Sequence, residues 1–346
     1  MGFVLFLMAL VWIMGGVLKT PVRPRLVMIG VIYVAVLSAH LVLPDGTELR
    51  AATGGDARPW IVLGGLVALV LAYRAVLRRL RQPDAPVPQP TGTFSETELN
   101  RYARHIVLRE VGGAGQRKLK AARVLVVGAG GLGSPALMYL AASGVGTIGV
   151  VDDDVVDGSN LQRQIAHSDA RIGMPKVFSA QQAMMAINPF VTVRPYQRRL
   201  TPEIAAEVMG DYDLILDGSD NFDTRYMVNR TAARLGKPLI AAAMTQWEGQ
   251  ISLYDPARGG PCYECIFPTR PAPGLAPACA EAGVIAPLPG VIGSLMALEA
   301  VKQITGAGTT LAGRMLLVDG LEMDTRIMRL SKRADCACCG TGKDTE

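Results

Sequence analysis

The chain of 346 residues has room for one α/β domain and a second module; half of it is apolar and its formal net charge is +5. That small surplus, clustered around apolar runs, leaves no nucleic-acid footprint. None of the six cysteines precedes Cys262 and four form C-x-x-C pairs, which argues against a disulfide framework and for metal-site usage in a reducing compartment.

In chain order, Met1 to Leu18 and Leu26 to Leu43 contain no Asp, Glu, Lys or Arg, and Trp60 to Leu77 contains only Arg74. As helices these runs would each reach about 27 Å, close to a hydrocarbon core of roughly 30 Å. Residues 1–82 are therefore expected to form an anchor of three transmembrane helices. The first run lacks the basic start of a signal peptide, and further spans follow it. Lys19, Arg23 and Arg25 follow the first span without an acid, whereas Arg50 and Arg58 are balanced by Asp45, Glu48 and Asp56 after the second. Arg78, Arg79 and Arg81 follow the third. By the positive-inside rule the expectation is a multi-pass protein of a bacterial-type inner (plasma) membrane, N-terminus outside and the remainder cytoplasmic. Arg74 lies near enough to the last turn to snorkel to the basic side.

Residues 83–93 are proline-rich and read as a tether, leaving 94–346 as the folded catalytic domain. Ser95 and Glu98 have capping-box spacing, and Leu99, Tyr102 and Ile106 make one apolar helical row. Strands are then expected at Val124–Val127, Thr147–Val151, Val191–Arg194, Leu214–Leu216, Leu239–Ala242, Gln250–Tyr254 and Arg314–Val318. Helices are expected at Pro135–Ala142, Lys176–Ala186, Pro202–Met209, Asp223–Leu235 and Val291–Gln303. The alternation predicts the α/β class, a Rossmann-like, mostly parallel sheet with helices on both faces.

The first strand stops on a glycine cluster. Gly128, Gly130 and Gly133 have G-x-G-x-x-G spacing, with Gly131 in the same loop, and the next strand ends in Asp152, where a nucleotide-binding pattern places a carboxylate for the ribose. Arg163 and Lys176 are cations of the kind that offset a triphosphate. Asp220 and Asn221, at the end of a later strand, face the same crevice, and Asp220 is a natural Mg²⁺ ligand beside a triphosphate. Cys262, Cys265, Cys336 and Cys339 supply four thiolates, enough to close a structural zinc site. Cys338 has no assigned role, and His40, His105 and His167 read as structural.

The glycine loop, SNLQRQ, Lys176, DGSDN, PCYEC, CAEAGV and the terminal C-x-x-C-G occur in the order of the ubiquitin-activating-like adenylyltransferases. From about Phe94 to Gly340 the chain resembles the ThiF/MoeB/HesA family, nearest to its molybdopterin-synthase adenylyltransferase branch. The resemblance implies an ATP- and Mg²⁺-dependent nucleotidyltransferase with structural Zn²⁺, adenylylating the C-terminal glycine of a small ubiquitin-like sulfur-carrier protein that ends in Gly-Gly. It implies that Asp152 holds the ribose, Asn160 and Arg163 contact phosphates, Lys176 stabilises the transition state and Asp220 binds Mg²⁺. Arg104 matches an arginine that relatives insert into the partner subunit's site, which requires a homodimer. Cys279 falls where some relatives carry a thiol that bonds covalently to the carrier. The implied pathway is molybdenum cofactor biosynthesis, with thiamine or tRNA-thiolation carriers as alternatives. A nicotinamide dehydrogenase would leave the cations and the four cysteines unused, and a non-catalytic carrier-binding scaffold would have no need of clustered charges.

Overall fold

The computed structural model describes residues 1–18, 20–44, 46–80, 93–271 and 283–340. The chain divides into two compact units, Met1–Gln89 and Pro90–Glu346.

The first unit holds α1 (Gly2–Val17), α2 (Val22–Val42), α3 (Glu48–Thr53) and α4 (Arg58–Leu80). Trp60 is its buried anchor: its indole N–H donates to the Thr53 carbonyl at 3.1 Å, and the Trp60 carbonyl accepts from the Tyr33 hydroxyl at 2.7 Å. The expectation of three spans is corrected in number. Among the described residues one helix, Pro24–Val42, is long and apolar enough to cross a membrane, while α1 is a shorter apolar helix. At 16 residues α1 reaches only about 24 Å. The third run lies within α4, where residue 75 and residues 77–80 fall outside the described side chains. The 83–93 tether lies outside the described residues except for Thr93.

The second unit opens on α5 (Glu96–Ile106), whose capping box forms: Ser95 Oγ accepts from the Glu98 N–H and the Glu98 carboxylate accepts from the Ser95 N–H. After α6 (Gly112–Ala121), one eight-stranded sheet runs in the order β3-β2-β1-β4-β5-β6-β7-β8. These strands are β1 (Arg123–Val127), β2 (Thr147–Val151), β3 (Thr192–Tyr196), β4 (Leu214–Asp217), β5 (Leu239–Thr245), β6 (Glu248–Tyr254), β7 (Arg314–Asp319) and β8 (Asp324–Arg329). The first five are parallel, as the alternation requires, and β5 to β8 continue as an antiparallel meander. Helices α7 (Gly133–Ser143), α8 (Lys176–Ile187), α9 (Pro202–Gly210), α10 (Phe222–Arg234), α11 (Tyr263–Ile266) and α12 (Pro287–Thr305) complete the unit. Two apolar clusters result, as a sheet covered on both faces demands: Val124, Val126, Leu137 and Ile148 belong to one, Leu125, Ile215, Met209 and Tyr226 to the other. The carboxyl ends of the parallel strands open on one side, where such sheets bind ligands.

Candidate active site

A cavity of about 1500 Å³ lies across those strand ends. Gly128 turns the chain out of β1 with φ +93°, a conformation that favours glycine. A side chain at Gly133 would run into the Gly128 carbonyl oxygen, so this glycine allows α7 to pack down on the strand. At Gly130 a Cβ would meet nothing closer than Gln164 Nε2 at 3.6 Å, and this position faces the cavity. No side chain caps the start of α7. Its positive end is free for an anion.

The loop is held rigidly at Ala129. Its N–H donates to Asp152 Oδ2 at 2.7 Å, while Asp152 Oδ1 accepts from the Asp154 N–H at 2.9 Å. Burial pushes the Asp152 carboxyl above the ordinary Asp range, against these N–H bonds that favour its charge. The buried His167 ring lies 2.9 Å from the Ala129 carbonyl through Nε2 and 2.9 Å from Ser179 Oγ through Nδ1. A carbonyl can only accept, so Nε2 carries the proton and Nδ1 accepts from Ser179. Burial also lowers the His167 pKa. This supports reading His167 as a brace rather than an acid or base.

The two cations singled out from sequence, Arg163 and Lys176, line the same cavity. Lys176 opens α8 with its side chain only 6% exposed and places Nζ 2.8 Å from Asp154 Oδ2. Arg163 donates through Nη2 to Asn160 Oδ1 at 2.9 Å. Arg163, Lys176, Asp220 and Asn221 all line the cavity with Gly128, Gly130, Gly131 and Asp152. Asn160 is not among the lining residues; it aims the guanidinium that is. Asn221 has a second duty, since its Oδ1 accepts the Thr224 N–H and caps α10. Asp220 is exposed and belongs to no group of three or more metal-type donors among the described residues, whereas Asp152, Asp153 and Asp154 gather their oxygens within 4.8 Å.

Some contributing residues carry no expectation from sequence. Gln164 is 5% exposed, lines the cavity and leaves Oε1 without a partner. Its place directly after Arg163 is the signal that would have found it. Arg225 is buried and donates to the Ser219 and Ala242 carbonyls at 2.7 and 2.9 Å, pinning the DGSDN turn from behind. Arg104 is exposed on α5 and is not among the residues lining its own chain's cavity. Cys279 lies outside the described residues.

The four cysteines meet. Sγ separations are 3.9 Å for Cys262–Cys265, 3.6 Å for Cys262–Cys336 and 3.4 Å for Cys265–Cys339. All four sulfurs fall within 4.8 Å of one another. Tetrahedral zinc with bonds of about 2.3 Å sets its sulfurs about 3.8 Å apart, so the donor set fits the metal in kind and size. The Arg333 N–H, 3.4 Å from Cys265 Sγ, supplies the second-layer bond that thiolate ligands receive. Cys338 stands outside this group and accepts from Asn229 Nδ2 at 3.5 Å.

The mostly parallel sheet, the glycine turn after β1 and the cations gathered at the same strand ends place the chain in the class of Rossmann-like nucleotide-binding domains. The chain belongs to the ThiF family, which matches over residues 102–339, and is an adenylyltransferase. It is 49% identical over 251 residues to the sulfur carrier protein adenylyltransferase of Thermus thermophilus, covering 71% of this chain and 93% of that protein. It is 48% identical over 250 residues to the probable adenylyltransferase/sulfurtransferase MoeZ of Mycobacterium tuberculosis and 46% identical over 259 residues to the adenylyltransferase and sulfurtransferase MOCS3 of Bos taurus. Those matches cover 71% and 75% of this chain but 64% and 56% of the relatives. Among solved structures, the E. coli MccB complex with MccA-N7isoASN superposes with a TM-score of 0.63 at 24% identity, covering 70% of this chain and 75% of that one, a likeness of fold.

Proposed function

We propose that this chain uses ATP and Mg²⁺ to adenylylate the C-terminal glycine of a ubiquitin-like sulfur-carrier protein ending in Gly-Gly. The observation that carries this reading is one cavity that joins the glycine loop, Arg163, Lys176 and Asp220 to a polypeptide-sized wall of β6 to β8. The carrier's terminal carboxylate oxygen bonds to the α-phosphorus while the bond to pyrophosphate breaks. Arg163, oriented by Asn160, and Lys176, held by Asp154, stand where negative charge builds up on the phosphates. Asp220 would hold Mg²⁺, which would supply neutralisation of phosphate charge. Asp152, at the end of β2, is the carboxylate for the ribose hydroxyls in this reading, and the four cysteines would hold Zn²⁺ as a fold clamp. The test is pyrophosphate exchange into ATP with purified carriers: exchange is expected only with a Gly-Gly terminus, and exchange without any carrier would overturn the reading.

The molybdopterin-synthase small subunit is the first carrier to try, with thiamine and tRNA-thiolation carriers beside it. Arg104 completes the site from the partner subunit of a homodimer. Mixing Arg104→Ala with Asp220→Ala protein should then restore part of the activity that each lacks. The first unit is a membrane module with the catalytic unit on the cytoplasmic side. Its many exposed apolar side chains, among them Phe6, Ile13, Val31, Val34 and Leu69, support this, since water-soluble surfaces rarely gather so many. Release by alkaline carbonate would count against it.

A further inference from the structure

A second groove, of about 1120 Å³, adjoins the zinc clamp and has no part in the chemistry above. Five cationic side chains from separate stretches of chain enter it: Arg199 beyond β3, Arg230 and Arg234 on α10, Arg270 beyond α11, and Lys332 beyond β8. Asp223 is the one carboxylate among its lining residues. Two of the cations are preset. Arg230, 64% exposed, is fixed by a bidentate pair to buried Glu264 at 2.9 and 3.0 Å. Arg270 pairs with Asp223 at 2.5 Å and lies over the Tyr226 ring at 5.3 Å. No partner is described for Arg234 or Lys332, and both are exposed. Gathering like charges in one groove is unfavourable unless an anion is to be received there.

The rest of the lining decides which anion. Leu200, Pro202, Met227, Pro256 and Ala257 interleave with the cations, a mixture that suits a polypeptide carrying acidic and apolar residues and suits free polyphosphate poorly. The groove also shares Arg199, Leu200, Asp223, Thr224, Tyr226 and Arg270 with the large cavity, so a bound segment would lie beside the site entrance, and Arg230, Arg234 and Lys332 are the cations that belong to the groove alone. Cys339 lines the groove and is itself a member of the four-thiolate group, and the Arg333 N–H, directly after Lys332, donates to Cys265 Sγ at 3.4 Å, so the clamp holds the backbone beside Lys332.

We infer that this groove docks an acidic, apolar-containing segment of a protein partner beside the adenylation cavity. The proposal stands on the groove's own charge and lining, whichever carrier is activated. The probe is a fluorescein-labelled short peptide alternating Asp or Glu with Leu, titrated by anisotropy against the full-length protein. Binding that weakens with salt is expected, with a loss of about tenfold or more in Arg234→Glu/Lys332→Glu and a smaller loss in Arg234→Gln/Lys332→Gln. ATP affinity, measured separately, should be unchanged in both, which shows that the variants fold and keeps this test apart from the adenylation reading. Unchanged peptide affinity in the Glu pair, displacement of the peptide by ATP, or equal competition by inorganic tripolyphosphate would each overturn the proposal.

Discussion

His167 donates from Nε2 to the carbonyl of Ala129, the residue whose N–H is held by Asp152. Both backbone polar groups of one loop residue are thereby fixed by side chains that lie 38 and 23 residues away in sequence.

The burial that accompanies this bond makes stability depend on pH. Burial depresses the folded His167 pKa below its ordinary 6.5, so the unfolded chain takes up the proton first as pH falls. The brace is fully effective above about pH 6.5 and loses stability as pH drops from there toward the folded value. Chemical denaturation between pH 5 and 8 should show this acid slope, and His167→Phe should flatten it while costing about 1–3 kcal/mol at neutral pH. An unaltered slope in the variant would show that another group titrates.

Gly133 and Gly130 should fail in different ways. Gly133→Ala forces a methyl into the Gly128 carbonyl and should lower Tm and remove nucleotide binding together. Gly130→Ala has room to fold and should keep its Tm while losing ATP affinity, because the added methyl faces the cavity. Calorimetric Tm and ATP titration on the same two samples separate the cases.

Losing Arg163 or Asp220 should slow pyrophosphate exchange by about a hundredfold or more, the usual consequence of deleting a charge-stabilising group worth roughly 3 kcal/mol. Asn160→Ala should show a weaker effect of the same sign, since it removes only the bond that aims Arg163. Full exchange in Asp220→Ala would remove that residue from the site. Cys279→Ala should leave exchange intact, because carboxylate attack on a phosphorus atom needs no thiol.

Metal removal gives a structural readout. Elemental analysis should find one zinc per chain, and chelation should lower Tm and loosen residues 330–340 in hydrogen exchange. Cys336→Ser should reproduce the chelated protein, whereas Cys338→Ser, outside the thiolate group, should not. Equal zinc content in both variants would refute the four-ligand assignment.

The parallel strands β1, β2 and β4 were plainest in the sequence because each is an apolar run cut off by Gly128, Asp152 or Asp217 at the crevice, whereas β3 and β5 run on to Gln197 and Gln246. Thr147–Val151 appears with the boundaries read from sequence, and β5 and β6 only grow at their shared turn, where Gln246 adopts φ +42°. β8 escaped notice because Asp324–Arg329 is exposed along its whole length and sets only Ile327 and Met328 among polar residues, so no apolar alternation marks it and backbone pairing with β7 makes it a strand. The glycine-rich α6 has weak intrinsic helix propensity and is fixed instead by long-range bonds, Gln116 to the Ser143 carbonyl and Lys118 to that of Thr305. Gly128, Asp152, Arg163, Lys176 and Asp220, each singled out in the sequence, line one cavity, whereas Gln164 beside them was not singled out. What sequence alone could not supply was the division of labour, such as Asn160 orienting Arg163 and Asn221 capping a helix, because that depends on which lone pair each side chain has left.

The switch from parallel to antiparallel strands sets a length requirement on whatever reacts. The cavity runs from the glycine loop after β1 to Asp324 and Arg326 on β8, five strand spacings across the sheet. At about 4.8 Å per spacing this is roughly 24 Å, which an extended chain covers with about seven residues. A polypeptide entering from the β8 edge must therefore bring a flexible tail of about that reach, and a folded body whose terminus is shorter would stall at the rim with its carboxylate still out of range of Lys176.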